Sequence, residues 1–258
     1  MLVQAGKAAF VNSVGRIPGI GTWLEKLSCW AQFARWCVER GAVAESYRAL
    51  SSNSHSNRYE LYAAVVQREA LYKESIDYFE FGVYRGDSIA WWCKHVAHST
   101  GRFIGFDTFT GLPEKWHECA PSGTFSTEGR PPTIEDSRVS FQVGMFQQTL
   151  PGFLRKFRRS KRLILHLDAD LYSSTLFVLT SVASLLRPGD LLFFDEFASP
   201  VHEFRAFADC VKAFGFQYEV IGAVNNFNQV CFKVVGAPSI PHLGIDEVRL
   251  TSTFASSY

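Results

Sequence analysis

Short apolar runs alternate with amphipathic stretches over most of the chain beyond residue 75. The apolar runs predict strands at 77–83, 102–107, 138–143, 162–168, 190–195, 217–222 and 228–235. The stretches between them have helical spacing and predict helices at 87–98, 146–158, 174–186 and 201–214. This alternation is typical of an α/β fold built on a mostly parallel sheet.

The last two predicted strands differ from the others in the link between them. Gln217–Gly222 and Gln229–Val235 are separated only by the segment Ala223–Asn228. A parallel crossover needs a dozen or more residues, so these two strands must form an antiparallel hairpin. The sequence therefore predicts a mostly parallel seven-stranded sheet with a C-terminal antiparallel hairpin.

Two helical segments precede this pattern, at about 22–48 and 58–73, with the polar loop Ser51–Asn57 between them. In the first helix, helical spacing predicts one shared apolar face for Trp23, Leu27, Trp30 and Phe33. We therefore divide the chain into an N-terminal helical cap or oligomerisation segment (1–57), an α/β domain (58–236) and a C-terminal tail (237–258). We expect a homodimer formed through the N-terminal helices.

Composition narrows the class of protein. The chain has 258 residues, of which 47% are hydrophobic and 20% charged, which is enough for a sizeable core. A net charge of +1 gives no indication of a nucleic-acid partner. No apolar stretch approaches the roughly 18 residues of a membrane span, and the N-terminus lacks the apolar core of a secretory signal. The 6 cysteines include no C-x-x-C pair, so we expect reduced thiols in a cytoplasmic protein.

The segment Asp77–Ser88 reads as a buried strand, a turn with two glycines and the start of a helix. Gly82 and Gly86 permit close backbone approach to a ligand, and Ser88 can donate from the first helical turn. Glu80 lies near the end of the strand, where its carboxylate suits an ammonium group or a sugar hydroxyl. The segment predicts a cofactor site; the alternative is a simple turn in which Glu80 pairs with an arginine.

Asp107 ends the second predicted strand, 25 residues after Gly82. An acidic residue at this place commonly binds the ribose hydroxyls of an adenosine cofactor. The alternative is that Asp107 only caps a turn. The chain lacks the G-x-G-x-x-G pattern that a pyrophosphate requires, which favours S-adenosylmethionine over NAD and disfavours an NAD-dependent oxidoreductase.

Further carboxylates follow the fourth and fifth predicted strands. Asp168 and Asp170 follow the fourth strand, and Asp195 and Glu196 follow the fifth. Parallel strands deliver such groups to one crevice, where clustered carboxylates need a cation. We expect Asp168, Asp195 and Glu196 to bind Mg²⁺, because oxygen ligands suit a hard ion. For Asp170 we favour the cap of the helix that begins at Ser173.

Four segments together resemble the macrocin O-methyltransferase family, which has the Rossmann-like class I methyltransferase fold. They are Glu80–Ser88, Phe106–Glu114, Leu167–Thr175 and Phe194–Phe197. Many members of that family methylate sugar hydroxyls of natural products with Mg²⁺. The order of the segments also resembles catechol O-methyltransferase, in which a similar glutamate-glycine-tyrosine-glycine-serine turn holds the cofactor.

The resemblance implies a role for each matching residue. Gly82, Tyr84 and Gly86 would belong to the turn around the methionine part of S-adenosylmethionine, and Ser88 would receive its carboxylate. Glu80 would lie near its amino group.

Asp107 would bind both ribose hydroxyls, and Asp168, Asp195 and Glu196 would hold the metal. The macrocin family usually has two aspartates at the last pair, so Glu196 departs from it. The catechol enzymes have a lysine where this chain has Leu171, which leaves Asp168, a histidine or solvent to accept the proton.

The sequence thus predicts an S-adenosylmethionine-dependent O-methyltransferase acting on a hydroxyl of a small-molecule acceptor with the assistance of Mg²⁺. Two alternatives remain open at this point. One is a methyltransferase that needs no metal, and the other is a non-catalytic partner protein that binds the cofactor.

Overall fold

The computed structural model describes residues 7, 10, 11, 13–44 and 57–236. Helices α1 to α6 span Ile20–Ala44, Arg58–Arg68, Asp87–His95, Phe146–Lys156, Tyr172–Val182 and Glu203–Phe214. Strands β1 to β7 span Ile76–Phe81, Arg102–Asp107, Val139–Val143, Arg162–Leu167, Leu191–Phe194, Gln217–Val224 and Gln229–Gly236. The predicted tail at 237–258 lies outside the described residues.

The strands form one seven-stranded sheet in the order β3-β2-β1-β4-β5-β7-β6. Strands β1 to β5 run parallel, and β7 is antiparallel to both β5 and β6. The predicted parallel core and terminal hairpin are confirmed. Strand β1 ends two residues earlier than predicted because Gly82 leaves the extended conformation at φ 91°.

Helices cover both faces of the sheet, which explains why β1, β4 and β5 are buried along nearly their whole length. On one face, α2 and α3 supply buried side chains such as Val65 and Trp92. On the other, α1, α4, α5 and α6 supply side chains that include Trp36, Leu179 and Phe207. Strands buried on both faces carry continuous rather than alternating hydrophobicity.

Helix α1 packs on the domain through one edge only. Phe33 and Trp36 are buried against Phe204, and the Trp36 indole N–H donates to the hydroxyl of Tyr218 at 3.0 Å. Trp30 is 56% exposed, and Trp23 and Leu27 are also more than half exposed. The predicted single apolar face is therefore wrong for Phe33, which faces the domain and not the outer face of the helix.

No helix among the residues that the structure describes is both long and apolar enough to span a bilayer. Each of the cysteines has a free thiol.

Strand order reverses between β1 and β4, because the chain proceeds outward from β1 to β3 on one side and from β4 to the hairpin on the other. In open α/β sheets such a switch point leaves a crevice at the carboxyl ends of the strands. The segments that follow β1, β2, β4 and β5 meet there.

Candidate active site

A cavity of about 300 Å³ opens at this switch point. Every predicted site residue except Gly86 lines its wall. Part of the remaining wall comes from the long loop 108–138, here called the covering loop, which contributes Leu112, Trp116 and Phe125 among others. The cavity lies in the size range of small-molecule sites.

Gly82 is required by the close packing of the turn after β1 against the end of β4. Its φ is 91°, and a Cβ on it would lie 1.8 Å from the carbonyl oxygen of Asp168. Gly86 has φ 81° and precedes α3; a Cβ there would lie 2.8 Å from Cγ of Pro132. Gly82 thus allows the turn after β1 to pack against the end of β4, and Gly86 allows the same turn to pack against the covering loop.

Asp107 holds the turn after β1 in place. Its Oδ2 accepts the backbone N–H groups of Val83 at 2.7 Å and Tyr84 at 2.9 Å, and its Oδ1 accepts that of Phe109 at 2.8 Å. The capping role considered for Asp107 is therefore present. Carboxylate oxygens accept more than one hydrogen bond, and Asp107 lines the cavity, so ribose binding stays a prediction beside it.

Tyr84 adopts a left-handed conformation at φ 51°, which is uncommon for a residue with a bulky side chain. Its ring meets the ring of Phe125 edge to face at 5.6 Å, and the Arg85 guanidinium lies 5.0 Å from its centroid. The hydrogen bond to Asp107 and these ring contacts hold Tyr84 between the turn and the covering loop, where it lines the cavity.

Glu80 is 1% exposed and faces the cavity from the end of β1. The hydroxyl of Tyr78 donates to its Oε2, and His166 Nδ1 lies 3.4 Å from the same oxygen. Its partners are thus a tyrosine and a histidine, and not the arginine considered from the sequence.

A chain of buried polar side chains continues from Glu80 to the acidic part of the site. His166 Nδ1 lies 2.7 Å from the Tyr78 hydroxyl, and its Nε2 lies 3.0 Å from the Tyr62 hydroxyl. Tyr62 in turn donates to Oδ1 of Asp195 at 3.5 Å. The sequence did not indicate Tyr62, because it belongs to α2, a helix that precedes the predicted cofactor segments.

Asp168 and Asp170 after β4, Asp195 and Glu196 after β5, and Glu203 at the start of α6 form an acidic cluster. Burial, followed by the charges of Asp195 and Asp170, raises the pKa of Asp168 well above its ordinary value. Burial and the neighbouring carboxylates also raise the pKa of Asp170 to about 7. Burial raises the pKa of Glu196 to about 7 and that of Glu203 well above its ordinary value. The cluster therefore holds protons readily near neutral pH.

Asp170 does not cap helix α5, so that prediction is wrong. The residue at the cap position is Leu171, and no side chain makes a capping hydrogen bond there. Asp170 has φ 57°, a left-handed conformation that aspartate tolerates, and it lines the cavity while only 7% exposed. The backbone turn at Asp170 is what directs its carboxylate into the site.

Arg58 supplies a cation to this cluster. It is the first residue of α2, and its Nη1 lies 3.0 Å from Oδ2 of Asp195 and 3.9 Å from Oδ2 of Asp168. Burial disfavours its charged form, but the carboxylates, Asp195 foremost, outweigh burial and raise the pKa of Arg58 above its ordinary value. The sequence did not indicate Arg58 itself; it indicated only that the clustered carboxylates need a cation.

The predicted magnesium ligands do not fit the ion as they are arranged. Mg²⁺ requires near-octahedral oxygen ligands at about 2.0–2.1 Å. Within the described ranges, no group of three or more His, Cys, Asp or Glu side chains is placed to hold a metal. Asp195 instead accepts from Arg58 and Tyr62, one on each carboxylate oxygen.

The start of α5 binds the covering loop. Ser173 Oγ donates to Oε1 of Glu114 at 2.7 Å. Beside it, the backbone N–H of Tyr172 donates to Nδ1 of His202 at 3.3 Å. Burial lowers the pKa of His202. His202 is not among the residues that line the cavity.

Residues 79–197 match the model of a protein family described as a methyltransferase domain. One relative is the 8-demethyl-8-(2,3-dimethoxy-alpha-L-rhamnosyl)-tetracenomycin-C 4'-O-methyltransferase of Streptomyces olivaceus. It is 28% identical over 155 residues, which cover 50% of this chain and 58% of the relative. The chain thus spans little more than half the length of that relative.

Two solved structures share the fold. The calicheamicin methyltransferase CalS11 is similar with a TM-score of 0.55 and 20% identity, over 70% of this chain and 80% of its own. The O-methyltransferase NovP is similar with a TM-score of 0.56 and 18% identity, over 69% of this chain and 80% of its own. The predicted class I methyltransferase fold is confirmed, and the family match contains every predicted site residue.

Proposed function

We propose that the protein is an S-adenosylmethionine-dependent O-methyltransferase that acts on a hydroxyl group of a small molecule. The observation that carries this proposal is the single cavity that Glu80, Ser88 and Asp107 share with Asp168. The residues Glu80, Ser88 and Asp107 form the cofactor part of this cavity, and the acidic cluster around Asp168 forms its acceptor part. The two parts meet at Gly82, which packs against Asp168. The matched methyltransferase domain supports the proposal because it covers both parts.

The cofactor part suits the methionine end of S-adenosylmethionine. Helix α3 begins after Gly86 without a side-chain capping hydrogen bond, so its first backbone N–H groups suit a carboxylate. Ser88, 5% exposed, lines the cavity in the same turn. In this proposal Glu80 accepts from the ammonium group and Asp107 from the ribose hydroxyls.

The acceptor part supplies proton transfer and orientation. S-adenosylmethionine, when bound, supplies an electrophilic methyl group on its sulfonium sulfur. The acceptor hydroxyl must then be held in line and lose its proton. We assign proton acceptance to Asp168, because it lines the cavity and the Arg58 guanidinium, 3.9 Å from its Oδ2, favours its ionised form. Asp170 and Glu196 are placed to accept from further hydroxyls of the acceptor.

We propose a sugar hydroxyl as the acceptor group, as in the macrocin O-methyltransferases. The tetracenomycin relative acts on a rhamnosyl group according to its name, and several carboxylates in one rim suit a polyol. The apolar side chains of Leu112, Trp116 and Phe125 suit the ring faces of a sugar or an attached aglycone.

Magnesium assistance was part of the prediction from the sequence. The contacts of Arg58 with Asp168 and Asp195 support the metal-independent alternative instead, so the proposed mechanism contains no metal step.

We also propose a homodimer formed through the outer face of α1. Trp23, Leu27 and Trp30 are each more than half exposed, and large apolar side chains grouped on one helix face commonly mark an interface.

Calorimetric titration with S-adenosylhomocysteine and, separately, NAD tests the proposed function. We expect binding of S-adenosylhomocysteine, no binding of NAD, and weaker binding of S-adenosylhomocysteine to the Glu80→Gln variant. Absence of S-adenosylhomocysteine binding at millimolar concentration would contradict the proposal. Binding without methyl transfer to any sugar acceptor would favour the non-catalytic alternative.

A further inference from the structure

The acidic cluster contains a guanidinium group at the position where the sequence predicts a metal. Arg58 Nη1 bridges Oδ2 of Asp195 at 3.0 Å and Oδ2 of Asp168 at 3.9 Å, so it lies between two of the three predicted magnesium ligands. We propose that Arg58 is the resident cation of this active site and takes the place of a divalent metal. This inference rests on the proposed function, which it deepens by naming the group that neutralises the carboxylates.

Arg58 is held rigidly enough for this role. Its side chain is 12% exposed, and its guanidinium lies 5.2 Å from the ring centroid of Tyr59. Its Nη2 also donates to the Tyr59 hydroxyl at 3.5 Å. Helix α2 is anchored on the sheet by Leu61, Val65 and other buried side chains. A buried, packed guanidinium loses little freedom when it binds a carboxylate, so it can compete with an ion from solution.

Helix α2 engages both carboxylate oxygens of Asp195. Arg58 and Tyr62 are four residues apart and therefore lie on the same face of the helix. Arg58 donates to Oδ2, and Tyr62 donates to Oδ1 at 3.5 Å. Asp195 is 1% exposed, so its charge requires such compensation. The remaining predicted ligand, Glu196, faces the cavity one residue later.

A fixed guanidinium can do part of what a metal does for the acceptor. It donates hydrogen bonds to an oxygen that gains negative charge, and it cannot take up a proton itself. In the reaction the acceptor O–H proton passes to Asp168, and the oxygen forms a bond to the methyl carbon. The carbon–sulfur bond breaks with its electron pair left on sulfur. Arg58 stabilises the charge that develops on the oxygen and lowers the repulsion between Asp168 and Asp195.

Removal of Arg58 should uncover a metal site. The Arg58→Met variant leaves Asp168, Asp195 and Glu196 together without their cation, and oxygen ligands of this kind bind Mn²⁺ and Mg²⁺. The wild-type protein should bind neither ion at this place. Arg68→Met is the matched control, since it removes an arginine from the other end of the same helix.

Titration of the full chain with Mn²⁺ alone, monitored by electron paramagnetic resonance, tests the inference. We expect no stoichiometric Mn²⁺ site in the wild type or in Arg68→Met. Arg58→Met should gain a site that disappears in the double variant Arg58→Met with Asp195→Asn. Thermal melting of each variant establishes that it is folded. If Arg58→Met does not fold, Arg58→Gln, which also removes the charge, gives the same comparison with Arg58→Gln plus Asp195→Asn as its control.

Two outcomes would overturn the inference. One is a stoichiometric Mn²⁺ site in the wild type that Asp195→Asn abolishes. The other is a folded Arg58→Met that binds no Mn²⁺. Calorimetry with S-adenosylhomocysteine on the wild type separates this test from that of the proposed function, because cofactor binding does not depend on which cation fills the acidic cluster.

Discussion

The two parts of the cavity are built in different ways. The cofactor part comes from one continuous segment, Glu80–Ser88, completed by Asp107 from the neighbouring strand. The acidic part brings together the ends of β4 and β5 with Arg58, which is 137 residues from Asp195 along the chain. A site built from local sequence can be recognised as a motif, whereas a site built from distant elements depends on how the helices pack.

The largest effect is expected where the two parts touch. Gly82→Ala places a Cβ 1.8 Å from the Asp168 carbonyl oxygen, so β1 and β4 cannot both keep their positions. We expect a loss of about 3 kcal/mol or more in the free energy of unfolding, measured by urea denaturation. Gly123→Ala is the control: its φ is also positive, but no atom lies within 4 Å of the added Cβ.

That control should cost only about 1–2 kcal/mol, which is the usual penalty of a left-handed backbone for a residue with a Cβ. Equal losses for the two variants would show that the contact between the two parts does not matter.

Asp107→Ala tests the cofactor part alone. It removes the acceptor of three backbone N–H groups in the turn and, in the proposal, the partner of the ribose hydroxyls. We expect affinity for S-adenosylhomocysteine to fall by about 100-fold, or about 2.7 kcal/mol, by calorimetry. Asp136→Ala, which removes an acid that binds Arg138 outside the cavity, should leave affinity nearly unchanged. Similar affinity for both variants would exclude a direct role for Asp107.

Asp170→Asn tests the acidic part through pH. Because burial raises the pKa of Asp170 to about 7, its contribution to stability is complete below the pKa of the unfolded chain. It is lost as pH rises through about 7, where the buried carboxyl must ionise. Asparagine removes this loss and tolerates the left-handed backbone.

We expect Asp170→Asn to raise the melting temperature by roughly 2–5 °C at pH 8 and by a smaller amount at pH 5. The exposed Glu135→Gln is the control and should show no such pH dependence. A variant that is equally stable relative to wild type at both pH values would contradict the raised pKa.

The smallest effect on the cavity is expected from α1. Trp30→Lys places a charge on its exposed apolar face, and light scattering should report a monomer where the wild type is a dimer. Affinity for S-adenosylhomocysteine should change less than about 2-fold, because Trp30 is outside the cavity wall. A wild-type monomer would refute the proposed dimer.

The order of strands and helices could be predicted because short apolar runs mark the strands and helical spacing marks the segments between them. The grouping of Glu80, Gly82, Ser88 and Asp107 at one cavity could be predicted because their spacing is local. The roles of Arg58 and Tyr62 could not be predicted, because the sequence of α2 does not indicate which distant strand end the helix packs against. Asp170 was assigned to a helix cap because the left-handed turn that redirects it has no signal in residue type alone.

A crystal structure with bound S-adenosylhomocysteine tests the central claim most directly. The proposed function predicts its carboxylate at the start of α3, its ribose hydroxyls within hydrogen-bond distance of Asp107, and its sulfur facing Asp168 across Gly82. A ligand bound elsewhere, or a cavity that excludes it under saturating conditions, would contradict the account.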